Sequence, residues 1–215
     1  MKILIVVLSY LDGGIYTKFF ETQNESWNSI EVEGVDTFFM VGNNNEDTID
    51  GNLIKTNVRE SLYNCGHKTI KAFELLKDYE YDYIFRTNSS SYVDKQMLKD
   101  YLEDKPRINF YSGIIGNHHG IHFASGSGFI VSKNVVDLVL LKKEYWEHRF
   151  IDDVALGFLL RSLGVNPVLA PRFDVETVNE NTPMNHYHYR IKTSNRETDC
   201  QYMKSIFELK KLSYK

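Results

Sequence analysis

Short runs of almost unbroken apolar residues, fenced by Gly, Asn, Asp or Ser, constrain the fold of this chain more than any other feature. They stand at residues 3–8, 37–41, 83–85 and 129–131. A strand with one wet face alternates apolar and polar residues; a continuous run implies cover on both faces, as in an α/β sheet. Between the runs lie helix-period patterns: residues 15–27 with Phe19 and Phe20, residues 67–77 with Ile70, Phe73 and Leu76, and residues 134–141. The best-signalled helix opens at Asp152 and Asp153 and carries Val154, Leu156, Leu159, Leu160 and Leu163. Gly164 stops it, with Pro167 beyond. After Pro171 the chain turns polar as far as Pro183, and an amphipathic stretch at 197–212 is predicted to fold back over the sheet. The alternation predicts an α/β sandwich. Trp27, Phe73 and the aromatics of 81–85 sit at helix or strand spacing and read as core.

A chain of 215 residues with 42% hydrophobic content can bury one sizeable core, and no repeat, linker or compositional shift marks a second domain. The net charge of -4, with both signs scattered, leaves no basic stripe for a phosphate backbone, which argues against nucleic acid as a partner. Cys65 and Cys200 lie far apart and read as reduced thiols. Residues 3–8 are too short for a secretory apolar region and lack a small-residue cleavage site, so they read as a buried strand. No later run approaches the roughly 20 apolar residues of a membrane span. These features predict a soluble, cytoplasmic protein.

The polar residues that matter follow the third run. Asn88, Ser89 and Ser90 come where the strand at Tyr83–Phe85 ends, and in α/β sheets ligands gather beyond the carboxyl ends of parallel strands. Six further blocks accompany them in order. They are Asn24-Glu-Ser-Trp27, Phe38-Phe-Met-Val-Gly42, Ser61-Leu-Tyr-Asn64 with His67-Lys-Thr-Ile70, Ser125-Gly-Ser-Gly-Phe-Ile-Val-Ser132, Ile151-Asp-Asp-Val-Ala-Leu-Gly157 and Leu163-Gly-Val-Asn-Pro167. The whole series, covering roughly residues 21 to 170, resembles the glycosyltransferase A-type (GT-A) fold of the β-1,3-galactosyltransferase and fringe-like families. The resemblance implies one domain over residues 1–215: a mostly parallel central sheet flanked by helices, with a nucleotide-binding half to about residue 94 and an acceptor-binding half after it. It implies a hexosyltransferase that moves a sugar from a UDP-sugar to a hydroxyl of an acceptor glycan or glycoprotein. Family members of eukaryotes are membrane-anchored, so an unanchored cytosolic chain would suit a microbial or virus-encoded enzyme.

Glycosyl transfer must stabilise a departing diphosphate and deprotonate an incoming hydroxyl. Asp153 matches the family's catalytic aspartate and is the expected general base in an inverting reaction, with Asp152 orienting it or holding the acceptor. An aspartate at a helix start is also a favoured cap, worth about 1 kcal/mol over alanine. The helix N-terminus keeps such a carboxylate ionised while weakening it as a base. The diphosphate side departs from the family. Arg86-Thr-Asn-Ser-Ser-Ser-Tyr-Val93 falls where relatives carry Lys-Thr-Asp-x-Asp-x-Phe-Val, so Asn88 and Ser90 replace the two acids that hold Mn²⁺ or Mg²⁺. Three arrangements are open: a weak metal site from Ser90 with His188 or His186 of an His-x-His pair, replacement of the metal by basic side chains such as Arg86 or Arg190, or a silent nucleotide-sugar or glycan-binding module. The resemblance places nucleotide contacts at Ser9, Tyr10 and Asp12 after the first strand, and Arg59 suits a diphosphate. His118, His119 and His122 either touch a sugar or form a polar surface loop. Gly126 and Gly128 read as sites of close backbone approach. A nucleotidyltransferase is disfavoured because residues 11–14 offer glycine but no Lys or Arg.

Overall fold

The structure, a computed structural model, describes residues 1–213; residues 214 and 215 of the expected domain lie outside the described residues. In chain order the strands are β1 (Ile3–Leu8), β2 (Val35–Val41), β3 (Thr48–Asp50), β4 (Leu53–Lys55), β5 (Tyr83–Asn88), β6 (Ser91–Val93), β7 (Tyr111–His118), β8 (Ile121–Ser132), β9 (Val168–Leu169), β10 (Phe173–Val175) and β11 (His188–Ile191). The helices are α1 (Ile15–Glu25), α2 (Cys65–Leu76), α3 (Lys95–Leu102), α4 (Lys133–Leu141), α5 (Asp152–Ser162) and α6 (Arg196–Ser213).

An eight-stranded sheet in the order β3-β4-β2-β1-β5-β8-β7-β9 forms the centre. β1 pairs in parallel with β2 on one side and β5 on the other. Its uninterrupted Ile-Leu-Ile-Val-Val is explained by the period-two alternation of strand side chains. Ile3, Ile5 and Val7 enter one core with Phe19, Phe39, Phe85 and Met203, while Leu4 and Val6 enter the other with Met40, Phe73, Val136 and Leu160. Helices α2, α4 and α5 therefore cover one face, and α1, α3 and α6 the other. Truncating a fully buried residue such as Ile5 to alanine costs about 2–5 kcal/mol. The parallel character holds across β4, β2, β1 and β5, with β9 parallel to β7 at the far edge. The remaining pairings, β3 with β4, β5 with β8 and β8 with β7, are antiparallel.

The apolar run at 129–131 is the last part of the long strand β8, joined to β7 by a two-residue turn at His119 (φ 49°) and Gly120 (φ 80°). Positive φ at both positions is the type I′ geometry whose twist suits a hairpin. The expected helix at 15–27 ends at Glu25, and Trp27–Ser29 form a separate 3₁₀ turn. Within the polar region after Pro171, β10 and β11 join β6 in a second, three-stranded sheet. Helix α6 packs its Met203, Ile206 and Phe207 into the core beside α1, as expected of the amphipathic tail. Helix α5 ends as its glycine predicts. Gly164 has φ 78°, its N–H reaches Arg161 O at 3.0 Å, and Val165 N–H reaches Leu160 O at 2.9 Å, the two bonds of a Schellman cap.

Candidate active site

Beyond the carboxyl ends of β1 and β5 opens a cleft of about 650 Å³. Ser9 and Tyr10 from the loop after β1 line it, with Tyr16 in the first turn of α1, Cys65 and Lys68 of α2, the Asn88-Ser89-Ser90 corner, and Arg190 and Lys192 at the end of β11. Tyr10 and Tyr16 stand with ring centroids 5.9 Å apart. They give the wall an aromatic surface on which a planar base can rest.

The corner is held by its own side chains. Asn88 Oδ1 accepts the Ser90 N–H at 3.1 Å and the Ser90 hydroxyl at 3.0 Å, and the Ser89 hydroxyl donates to Leu8 O at 3.2 Å. Below it, Ser91 Oγ shares a 3.0 Å hydrogen bond with His188 Nε2. His188 is 1% exposed. Burial, with help from Arg172 and Arg190, pushes its pKa down to about 3, so the ring is neutral at physiological pH. His186 lies past the opposite end of β6, where Tyr187 O accepts the Asp94 N–H, and its ring packs 5.5 Å from that of Phe173. The expected ligand set of Ser90, His188 and His186 is therefore not assembled: His188 is sealed with Nε2 engaged, and His186 is at the wrong end of the strand pair. Among the described residues no group of three or more His, Cys, Asp or Glu is placed to hold a metal ion. Glu60 is the cleft's single carboxylate, and it accepts from the Gly42 N–H and from Lys68 Nζ. Hard divalent cations need several oxygen ligands and favour carboxylates. This donor set does not fit one.

The cleft wall is cationic instead, with Lys68, Arg190, Lys192 and Arg196 against Glu60. Lys68 is 1% exposed and donates to Ser9 O at 2.9 Å and Glu60 Oε1 at 2.7 Å. Burial pulls its pKa down, and Glu60 opposes the change. Arg196 pairs with Asp199. Among the described residues Arg190 and Lys192 have no carboxylate partner. Two buried polar atoms of the wall, Ser9 Oγ and Arg190 Nε, lack a hydrogen-bond partner.

Asp152 and Asp153 do not line the cleft; they stand next to it, beyond Cys65, whose thiol feels the charges of Asp152 and Arg86. Arg86, buried in β5, ion-pairs with Asp152 and donates to Gly126 O. Asp153 accepts the Gly126 N–H at 2.7 Å and the Val154 N–H at 2.9 Å. The helix cap position is Ile151, which has no side-chain cap bond, and Asp153 within the first turn satisfies the free Val154 N–H. Burial raises the pKa of Asp153 against the Gly126 hydrogen bond that lowers it, so desolvation outweighs the acidifying pull expected of the helix start. Gly126 leaves close quarters for a side chain. A Cβ there would lie 3.2 Å from both Arg86 Nη1 and Asp153 Oδ2.

Other expected contacts fall elsewhere. Asp12 is exposed and outside the cleft lining, closing a turn on the Gly14 N–H at 2.8 Å. Arg59 is exposed and also outside the lining, and its carbonyl accepts from the Asn64 amide at 2.9 Å. Arg86 is held by Asp152 rather than turned to the cleft. His118, His119 and His122 occupy the tip of the β7–β8 hairpin, where His118 packs edge-on to Phe150 at 5.4 Å. Sequence reasoning missed Lys68, Tyr16 and Lys192. The one signal was Lys68 itself, a charged residue between the apolar positions of an amphipathic helix.

No family model matches the chain. It is similar to β-1,3-galactosyltransferase 1 of Mus musculus and of Homo sapiens, 23% identical over 181 residues in each case. The match takes in 66% of this chain and 56% of the relative, so the chain spans little more than half the length of the curated relatives it matches. Among solved structures, a glycosyltransferase involved in the glycosylation of the major capsid of PBCV-1 superposes with a TM-score of 0.57 at 10% identity, covering 95% of this chain and 99% of that one. The glycosyltransferase GlyE of Streptococcus pneumoniae TIGR4 superposes with a TM-score of 0.51 at 12% identity, over 97% of this chain and 62% of its own.

Proposed function

We propose, from the GT-A glycosyltransferase fold that this chain shares with those structures, that it transfers a hexose from a nucleoside diphosphate sugar, a UDP-sugar foremost, to a hydroxyl of an acceptor glycan or glycoprotein. The observation that carries the reading is a cationic, aromatic-walled cleft at the carboxyl edge of the sheet with a buried carboxylate of raised pKa beside it. In this reading Tyr10 and Tyr16 seat the base, and Ser9 Oγ, an unpartnered polar atom, bonds the nucleoside. Asp153 takes the proton from the acceptor hydroxyl as its oxygen bonds to the sugar's anomeric carbon. The bond from that carbon to the phosphate oxygen breaks, and the nucleoside diphosphate leaves with the electron pair. Burial makes Asp153 a stronger base than a solvated aspartate. Asp152, tied to Arg86, fixes the start of α5. The residues offer no seat for Mn²⁺ or Mg²⁺, and no step uses one.

The Asp153→Asn variant should bind UDP like the parent and transfer nothing. Full transfer by that variant, with a panel of UDP-, GDP- and dTDP-sugars as donors, refutes Asp153 as the base. The anomeric configuration of the product separates inverting from retaining transfer. A second reading, a silent nucleotide-sugar-binding module, draws on the fact that both Asp153 oxygens already accept backbone N–H bonds. Binding without turnover on every donor favours it. Among the described residues no helix is long and apolar enough to cross a membrane. We carry the cytoplasmic placement as part of the proposal, to be checked by fractionating cells that express the native gene.

A further inference from the structure

We infer that Arg190 and Lys192 take the place of a divalent metal, forming a metal-free seat for the diphosphate of the donor. The inference rests on the reading of the cleft as a nucleotide site. Three observations support it independently of that reading. The corner where β5 ends presents only amide and hydroxyl side chains, with Asn88 and Ser90 bonded to each other and Ser89 to Leu8 O. A divalent ion placed there would meet four cationic side chains and one carboxylate, which is itself occupied by Lys68. Arg190 Nε is a buried donor with no acceptor, a state that native proteins rarely leave unused.

The backbone puts these cations where a leaving diphosphate needs them. Arg190 lies opposite Ser91 in the β11–β6 pair, and the Ile191 N–H reaches Ser90 O at 2.8 Å. That pairing fixes β11 against the Asn-Ser-Ser corner, so its last residues stand over the ends of β1 and β5. A guanidinium offers a planar fork to phosphate oxygens, and an exposed lysine adds a second point charge. Lys68, tethered to Ser9 O and Glu60, lies below them and is not free to reach out.

The test is calorimetric titration of UDP and of uridine into the full chain, with chelator and with Mn²⁺. The inference predicts UDP binding of equal strength in both conditions, weakening as salt is added. Lys192→Ala and Arg190→Ala should each weaken UDP binding roughly 10- to 100-fold, the effect of losing one charged hydrogen bond, and leave uridine binding unchanged. Lys192 is exposed, so its variant should keep the parent's melting temperature, and Arg190→Lys should recover part of the loss. UDP binding that requires Mn²⁺ overturns the inference and leaves the nucleotide reading intact. Metal-free UDP binding that neither substitution weakens overturns the assignment to these two residues. Failure to bind UDP or uridine in either condition defeats the nucleotide reading itself, and the inference with it.

Discussion

Gly128→Ala tests how tightly the strand β8 is fitted against the second sheet. An alanine Cβ at this position would lie 2.6 Å from His188 Nδ1 and closer still to Cε1. Ordinary contact between such atoms is about 3.5 Å, so the ring would have to move by roughly 1 Å. It has nowhere to go. His188 is 1% exposed, its Nε2 is bonded to Ser91 Oγ at 3.0 Å, and its ring packs T-shaped against Phe85 with centroids 5.2 Å apart. Overpacking a filled core costs about 1–3 kcal/mol, and breaking the buried Ser91 bond adds about 1–3 kcal/mol. The combined loss of about 2–6 kcal/mol corresponds to a fall in Tm of roughly 4–24 °C for a chain of this size. Urea denaturation followed by circular dichroism reads the stability directly, and a double variant, Gly128→Ala with His188→Ala, should lose less than the sum of the two single changes because the new methyl fills the space left by the ring. A single variant within about 0.5 kcal/mol of the parent, the range of ordinary surface changes, would refute the close-approach explanation.

Asp153 carries a pH signature. Its carboxyl holds a proton more tightly in the folded chain than in the unfolded one, so the folded state loses stability as pH rises from the ordinary aspartate range through the raised value. Asp153→Asn, which cannot ionise, should gain in Tm relative to the parent over that interval and hold the gain at neutral pH; equal Tm differences at acid and neutral pH would remove burial as the cause. Arg86→Met should destabilise by about 3–5 kcal/mol, because it strands Asp152 without its partner, and should further raise the Asp153 pKa; denaturation curves and the acid limb of the activity profile report the two effects.

The central strands were legible because burial on both faces leaves a clear print: β1 is apolar throughout and β5 through its first half. Helix α5 was legible from its punctuation, ending at a glycine whose left-handed conformation closes the cap. Helix α3 was not, since its cap comes from Asp94, whose Oδ1 accepts the Met97 N–H at 3.0 Å, and an aspartate in a polar stretch carries no mark of that role. The hairpin tip escaped notice because His119 adopts a positive φ that asparagine or glycine more often announces. In the site, Asp153 stood out from its sequence block, but its raised pKa did not, because that comes from burial where α5 packs on β8, a strand remote in sequence. The cationic wall was hardest to read: Lys68 and the Arg190–Lys192 pair come from two distant places, and the pairing of β11 with β6 brings the last two to the corner.

The cleft draws its aromatic wall from Tyr10 and Tyr16 and its free cations from Arg190 and Lys192, so opposite stretches of the polypeptide must meet before any pocket exists. A ribosome-bound fragment that stops short of β11 could build much of the parallel sheet and its aromatic wall and still lack the free cations of the cleft. Ligand capture would then be one of the final acts of folding, and would act as a latch on the C-terminal third.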